Sequence, residues 1–89
     1  MKIRNGFVAR DVGNRTFVVA VGELSKSFNA MITLNETGKA IWQALKTDTS
    51  IDEIVEKLLL EFEDAEKELV KRDVIAFVNK LDEANVLEK

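Results

Sequence analysis

The segment FNAMITLNETGKAIW, from Phe28 to Trp42, predicts a strand that passes almost directly into a helix. Up to Leu34, apolar residues alternate with other residues, which is typical of a strand with one buried face. Asn35 is a preferred helix N-cap residue, and apolar residues at helical spacing begin at Ala40. Because the strand carries no charge and no proline, nothing in it prevents another chain from pairing with its edge.

The residues before this segment predict two further strands. The first, GFVARDV, ends at Val12, and Gly13-Asn14 is a two-residue turn signal in which Gly takes positive φ. The apolar run from Phe17 to Val21 predicts a central strand that is covered on both faces. A polar loop is expected over residues 22–27. A meander of three strands then places the segment 28–34 at an edge of the sheet.

The residues after this segment predict three helices. The first runs from Glu36 to Lys46, the second begins after Ser50, which forms a capping-box spacing with Glu53, and the third covers Glu66 to Ala84. The result is an α+β domain, a three-stranded antiparallel sheet followed by three helices, with the winged-helix-like shape of some DNA readers.

Local signals refine this architecture. Gly38 lies inside the first turn of a helix, where it is expected to permit a close approach of the backbone. Asn85 is expected to end the third helix in the left-handed conformation, with the last apolar pair folding back over the helix. One core is predicted to unite inward residues of the sheet with Trp42, Phe62, Val74, Phe77 and Leu81.

Composition narrows the function. The chain has 89 residues, enough for one domain, and it contains no Cys, His, Tyr or Pro. The commonest general base and the commonest metal ligands are therefore missing, so we predict neither an enzyme nor a cofactor. No apolar run reaches the roughly 20 residues of a membrane span, and no signal peptide is recognisable, so a cytoplasmic location without membrane contact is expected.

Charge is divided unevenly along the chain. Residues 1–34 contain five basic and two acidic residues, whereas residues 35–89 contain eight basic and fourteen acidic ones. The acidic second part disfavours specific DNA binding, which requires phosphate contacts. The acidic residues between 61 and 68 have no calcium-loop glycine, so they predict a solvated helix junction. A small DNA-associated or homodimeric winged-helix protein stays open as an alternative.

Three parts of the chain resemble one family. They are LNETGKAIW at 34–42, with its Ile41-Trp42 pair, the polar turn before the second helix, and DVIAFVNKLDEANVL at 73–87. Together they resemble the PqqD-like proteins, the recognition elements for precursors of ribosomally synthesised and post-translationally modified peptides. The resemblance spans nearly all of residues 1–89 as a single peptide-recognition domain. The chain departs from the family at Asn85, where a Gly is common.

The resemblance implies a non-catalytic adaptor with no nucleic-acid partner. Such a protein holds the leader segment of a precursor peptide as an added strand on its third strand, beside its third helix, and works with a maturation enzyme, often a radical SAM enzyme. Ile75, outside the core stripe, fits a place in that groove. The predicted peptide-binding residues are Phe28, Asn29, Ala30, Met31, Ile32, Thr33, Lys71, Val74, Ile75 and Val78.

Overall fold

The computed structural model describes residues 1–26 and 32–88. Its elements are β1 (Lys2–Ile3), β2 (Phe7–Val12), β3 (Arg15–Ala20), a 3-10 helix (Gly22–Lys26), β4 (Ile32–Leu34), α1 (Glu36–Ala44), α2 (Ile51–Glu61), α3 (Lys67–Glu83) and β5 (Leu87–Glu88). The antiparallel sheet has the order β2-β3-β4 and is followed by the three helices. The predicted α+β class is therefore confirmed.

The hairpin of β2 and β3 turns where the sequence predicted. Val12 pairs with Arg15 across the two residues between them, and Gly13 has a φ of 63°, a conformation that glycine adopts without a steric cost. The connection after β3 differs from the predicted polar loop, because residues 22–26 form a 3-10 helix.

The central strand β3 is covered less completely than predicted. Thr16 and Val18 on its inner face are buried, but Phe17 and Val19 on its outer face are only half-buried. The helices α1, α2 and α3 all contribute to the core on the inner side, so no α-helix of the described residues is left to cover the outer face. The prediction of a strand covered on both faces was wrong.

Two helices begin at the predicted caps. The side chain of Asn35 accepts a hydrogen bond from the Gly38 N–H at 2.8 Å, and Ser50 Oγ accepts one from the Glu53 N–H at 3.3 Å. These bonds satisfy backbone donors that a helix start leaves without partners. The helix α3 begins at Lys67, one residue after the predicted start, and has no side-chain cap at Glu66.

The C-terminal end of α3 folds back as predicted. Asn85 has a φ of 64°, the Asn85 N–H donates to the Asp82 carbonyl at 3.0 Å, and the Val86 N–H donates to the Leu81 carbonyl at 3.0 Å. This pair of bonds is the Schellman motif. It directs Val86 into the core and brings β5 back to β1, a two-residue antiparallel pairing that the sequence did not predict.

A single core joins the sheet to the helices. Trp42, Val74 and Leu81 are buried as predicted, whereas Phe62 and Phe77 are partly buried and pack against its edge. The most deeply buried side chains are those of Trp42, Ile32, Ile41, Leu45, Ile54, Leu58, Leu81, Val18, Val55, Val74 and Val86. Phe77 therefore lies at a boundary of the core, where one side of its ring meets solvent.

Candidate functional site

The strand β4 lies at an edge of the sheet. On one side it pairs with β3, with Phe17 opposite Thr33 and Val18 opposite Ile32. On its other side no strand pairs with it among residues 1–26 and 32–88. Ile32 and Leu34 are buried, which anchors the strand, whereas Thr33 is exposed. The strand thus has a fixed inner face and a backbone edge that can accept a further strand.

The N-terminal half of the predicted strand cannot be compared with the structure. Phe28, Asn29, Ala30 and Met31 lie outside the described residues. Their part in binding a peptide stays a prediction.

One side of α3 approaches the junction of β4 and α1. A Cβ placed on Gly38 would lie 3.5 Å from Cε1 of Phe77 and 3.6 Å from Cδ2 of Leu34. These two distances are ordinary van der Waals contacts and place Phe77 where β4 passes into α1, whereas the tightest neighbour of that Cβ is the side-chain oxygen that caps α1, at 3.2 Å. Val70 and Asp73 share this side of the helix with Phe77, at i, i+3 and i+7 spacing. We call these three residues the β4 flank of α3.

Lys71 and Ile75 lie on another side of α3 from Phe77, and their part in binding a peptide stays a prediction. They border a depression together with Met1 and with residues 49–52 at the start of α2. The Lys71 Nζ lies 4.0 Å from Asp52 Oδ1. Ile75 and Phe77 are about 200° apart around the helix, so they face in nearly opposite directions. We call Lys71 and Ile75 the Met1 flank of α3.

The other two predicted residues of α3 lie in the core. Val74 has no exposed surface and Val78 is 6% exposed. Their side chains fix the distance of α3 from the sheet and the rotation of the helix about its axis. A direct contact of either side chain with a peptide stays a prediction.

The described part of the chain contains no catalytic or metal-binding constellation. No group of three or more Asp or Glu side chains in it could hold a metal ion, and the sequence has no His or Cys. No helix in the described residues is both long and apolar enough to cross a membrane. The arrangement of β4 and the β4 flank can offer backbone hydrogen bonds and apolar contacts to an extended chain.

The sequence matches the family described as Coenzyme PQQ synthesis protein D (PqqD) over residues 15–87. The chain belongs to this family. The match begins at β3 and ends at β5, so it includes the edge strand, α1, α2 and the whole of α3. A search of curated proteins finds no match.

A solved structure has the same fold as this PqqD-family chain. It is described as "TbiB1 in Complex with the TbiA(beta) Leader Peptide". The two chains superpose with a TM-score of 0.75 and 23% sequence identity, over 99% of this chain and 95% of the other. At this identity the comparison shows the fold.

Sequence reasoning missed the position of Phe77 in this PqqD-family chain. Its spacing relative to Val74 and Leu81 predicted a core residue, and the ring does contact the core. The spacing did not show which side of α3 meets the edge strand, because that depends on how the helix is rotated against the sheet. The only sequence signal was Gly38, which predicted a close approach without identifying its partner.

Proposed function

We propose that this protein is a non-catalytic adaptor that binds the leader segment of a ribosomally made precursor peptide. The peptide adds a strand to the free edge of β4 and packs its side chains beside α3. The observation that carries this proposal is the unpaired edge of β4 next to the half-buried ring of Phe77. Membership in the PqqD family supports it, as does a shared fold with a protein whose structure includes a leader peptide.

Backbone pairing supplies affinity and little selectivity. A net gain of about 0.5–1.5 kcal/mol per hydrogen bond is available to any extended peptide, so side-chain contacts must choose the correct one. The β4 flank supplies Phe77 and Val70 for apolar contacts, and both are half-buried before a peptide binds. In this proposal, Phe77 and Val70 line the centre of the groove in place of Lys71 and Ile75.

The adaptor then presents the leader to a maturation enzyme. We infer a radical SAM enzyme as that partner, in the cytoplasm, where ribosomes release the precursor. The whole chain acts as one peptide-recognition domain in this proposal.

The test begins with random peptides displayed on phage and selected against this protein. Selected peptides are synthesised and titrated into the protein while its amide chemical shifts are followed. We expect the largest shift changes at residues 32–34 and along the β4 flank, and small ones at Lys71 and Ile75. An empty selection, or shift changes concentrated on β2 or the outer side of α2, would refute the proposed function.

A matched pair of substitutions on α3 separates the two flanks. Phe77→Ser removes the apolar ring beside β4 and should weaken binding of a selected peptide about ten-fold, as loss of an aromatic contact does. Ile75→Ser removes a half-buried residue from the Met1 flank and should leave the affinity unchanged. Circular dichroism of both variants checks that each is folded at the temperature of the calorimetric titration. Stronger loss with Ile75→Ser would return the groove to the Met1 flank.

A further inference from the structure

A depression of about 800 Å³ lies where α2 ends and α3 begins. It adjoins the β4 flank, because Val70 and Asp73 line it. It also reaches Thr37 in the first turn of α1, which follows β4 directly. A peptide that pairs with β4 and continues past the C-terminal end of that strand therefore arrives at this depression.

The floor of the depression is apolar. Leu58 is buried beneath it, Phe62 and Val70 are half-buried, and Leu69 is 45% exposed. Covering such side chains removes apolar surface from water, which favours an occupant with an apolar part. Leu69 is among the more exposed large apolar residues of the described chain, so the floor has surface left to bury.

The rim of the depression is acidic. The lining includes no Lys or Arg, and its acidic members are Glu61, Glu63, Asp64, Glu66 and Asp73. Arg72 Nε lies 3.7 Å from Asp73. In the part of the chain that the structure describes, the other four acids have no ion-pair partner within 4.0 Å. They also form no group that could hold a metal ion.

An apolar floor with an acidic rim matches one kind of side chain. Lys and Arg carry a long aliphatic stem that packs on apolar surface and a charged head that stays in water. In this depression the stem would cover Leu69 and Phe62 while the head met the carboxylates of the rim. Nucleic acid and acidic peptides are repelled by the same rim.

We propose that this depression, the acidic pocket, binds a Lys or Arg side chain of the peptide that pairs with β4, just beyond the paired segment. The inference rests on the proposed function and adds the chemistry of one peptide position to it. Complementary charge at a rim also speeds the encounter of the two partners and suppresses binding of unrelated peptides.

The test uses the phage-displayed random peptides in parallel selections. One selection uses the unmodified protein, one uses Glu61→Gln with Glu63→Gln, and one uses Glu56→Gln with Glu83→Gln. The last pair of acids is exposed and lies outside the pocket, so it changes the net charge equally. We expect Lys and Arg to be enriched at one end of the peptides selected by the unmodified protein and the control, and not in those selected by the pocket variant.

Affinities provide a second readout. A selected basic peptide should bind the pocket variant on the order of five-fold more weakly, the size expected for two surface ion pairs, and the control variant equally well. Added salt should weaken binding to the unmodified protein more than binding to the pocket variant. Peptides without basic enrichment, or equal losses in both variants, would overturn this inference while leaving the proposed function intact.

Two other outcomes have distinct meanings. An empty selection overturns the proposed function and this inference together. Sedimentation of the unmodified protein and the pocket variant tests whether the pocket instead binds a second copy of the chain. We expect the unmodified protein and the pocket variant to have the same sedimentation coefficient. A dimer of the unmodified protein that dissociates when Glu61 and Glu63 are replaced would overturn the proposal.

Discussion

The two flanks of α3 carry similar side chains and have different neighbours. Each flank has a half-buried apolar residue, Ile75 on the Met1 flank and Phe77 on the β4 flank. Ile75 borders a part of the fold that the chain itself holds, because the Met1 ammonium donates to Asp48 Oδ1 at 2.6 Å and to the Thr49 carbonyl at 2.9 Å. Phe77 borders the end of β4, whose outer edge pairs with no strand among the described residues.

This difference shows what makes an apolar residue available for binding. Ile75 and Phe77 are both partly exposed, and both lie beside the buried stripe of α3, so neither property distinguishes the two flanks. The distinguishing feature is the outer edge of β4, which pairs with no strand in the described part of the chain and whose backbone groups can form hydrogen bonds. Under the proposed function, the residue next to that edge gains contacts when a peptide strand is added, whereas the residue next to Met1 does not.

The comparison depends first on the rotation of α3, which a pair of identical substitutions tests. Leu81 is fully buried, so Leu81→Ala should lower the free energy of unfolding by about 2–5 kcal/mol. Leu60 is 86% exposed, and Leu60→Ala should change it by less than about 0.5 kcal/mol. Urea denaturation followed by the fluorescence of Trp42 measures both. If both substitutions changed the free energy of unfolding equally, Leu81 would not be buried, and the two flanks of α3 would not face the neighbours described above.

A smaller effect tests the close approach on the β4 flank. Gly38→Val places a Cβ 3.2 Å from the Asn35 oxygen that caps α1 and adds methyl groups beside Phe77 and Leu34, which should destabilise the fold by about 1–3 kcal/mol. Gln43→Val introduces the same residue at an exposed position of α1 and should cost only the lower helix propensity of valine, about 0.5 kcal/mol. The same urea titration applies. A Gly38→Val protein as stable as the Gln43→Val protein would show that the junction of β4 and α1 has room for a larger residue.

The smallest effect concerns the Met1 flank and depends on pH. The hydrogen bond from the N-terminal ammonium lowers the pKa of Asp48 below its usual range. A carboxyl group with a lowered pKa stabilises the folded state above its unfolded pKa of about 3.9, and this contribution disappears as the pH falls through the folded pKa. Asp48→Asn should therefore lower Tm slightly at neutral pH.

The difference in Tm between Asp48→Asn and the unmodified protein should shrink as the pH is lowered from neutral to well below the unfolded pKa of about 3.9, because the carboxyl becomes protonated in the unfolded and then in the folded state. Thermal melts at the two pH values measure it. The exposed Glu56→Gln variant serves as the control, and its Tm should follow that of the unmodified protein at both pH values. A Tm difference for Asp48→Asn that persisted in acid would assign its effect to something other than the Met1 contact.

The sequence by itself determined the local structure of this protein. Asn35 and Ser50 start helices because their side chains bond to backbone donors three residues away, and Gly13 and Asn85 adopt positive φ where the chain turns. Each of these signals acts over a few residues, so the sequence contains both the signal and its partner. The edge position of β4 also followed from sequence, because consecutive strands usually pair with their neighbours.

Only the tertiary structure decided which surfaces remain unpartnered. The outer face of β3 is half-exposed although Phe17 and Val19 are as apolar as residues of a covered strand. The pairing of β1 with β5 joins two residues near each end of the chain, and the acidic pocket forms only because α2, α3 and the start of α1 meet. The apolar periodicity of a helix predicts which of its residues are buried. The neighbours of each flank depend instead on how the packed elements are rotated and how they cross. Those neighbours depend on contacts between residues far apart in sequence, which is why spacing alone did not show that Phe77 lies beside the end of β4 and Ile75 beside Met1.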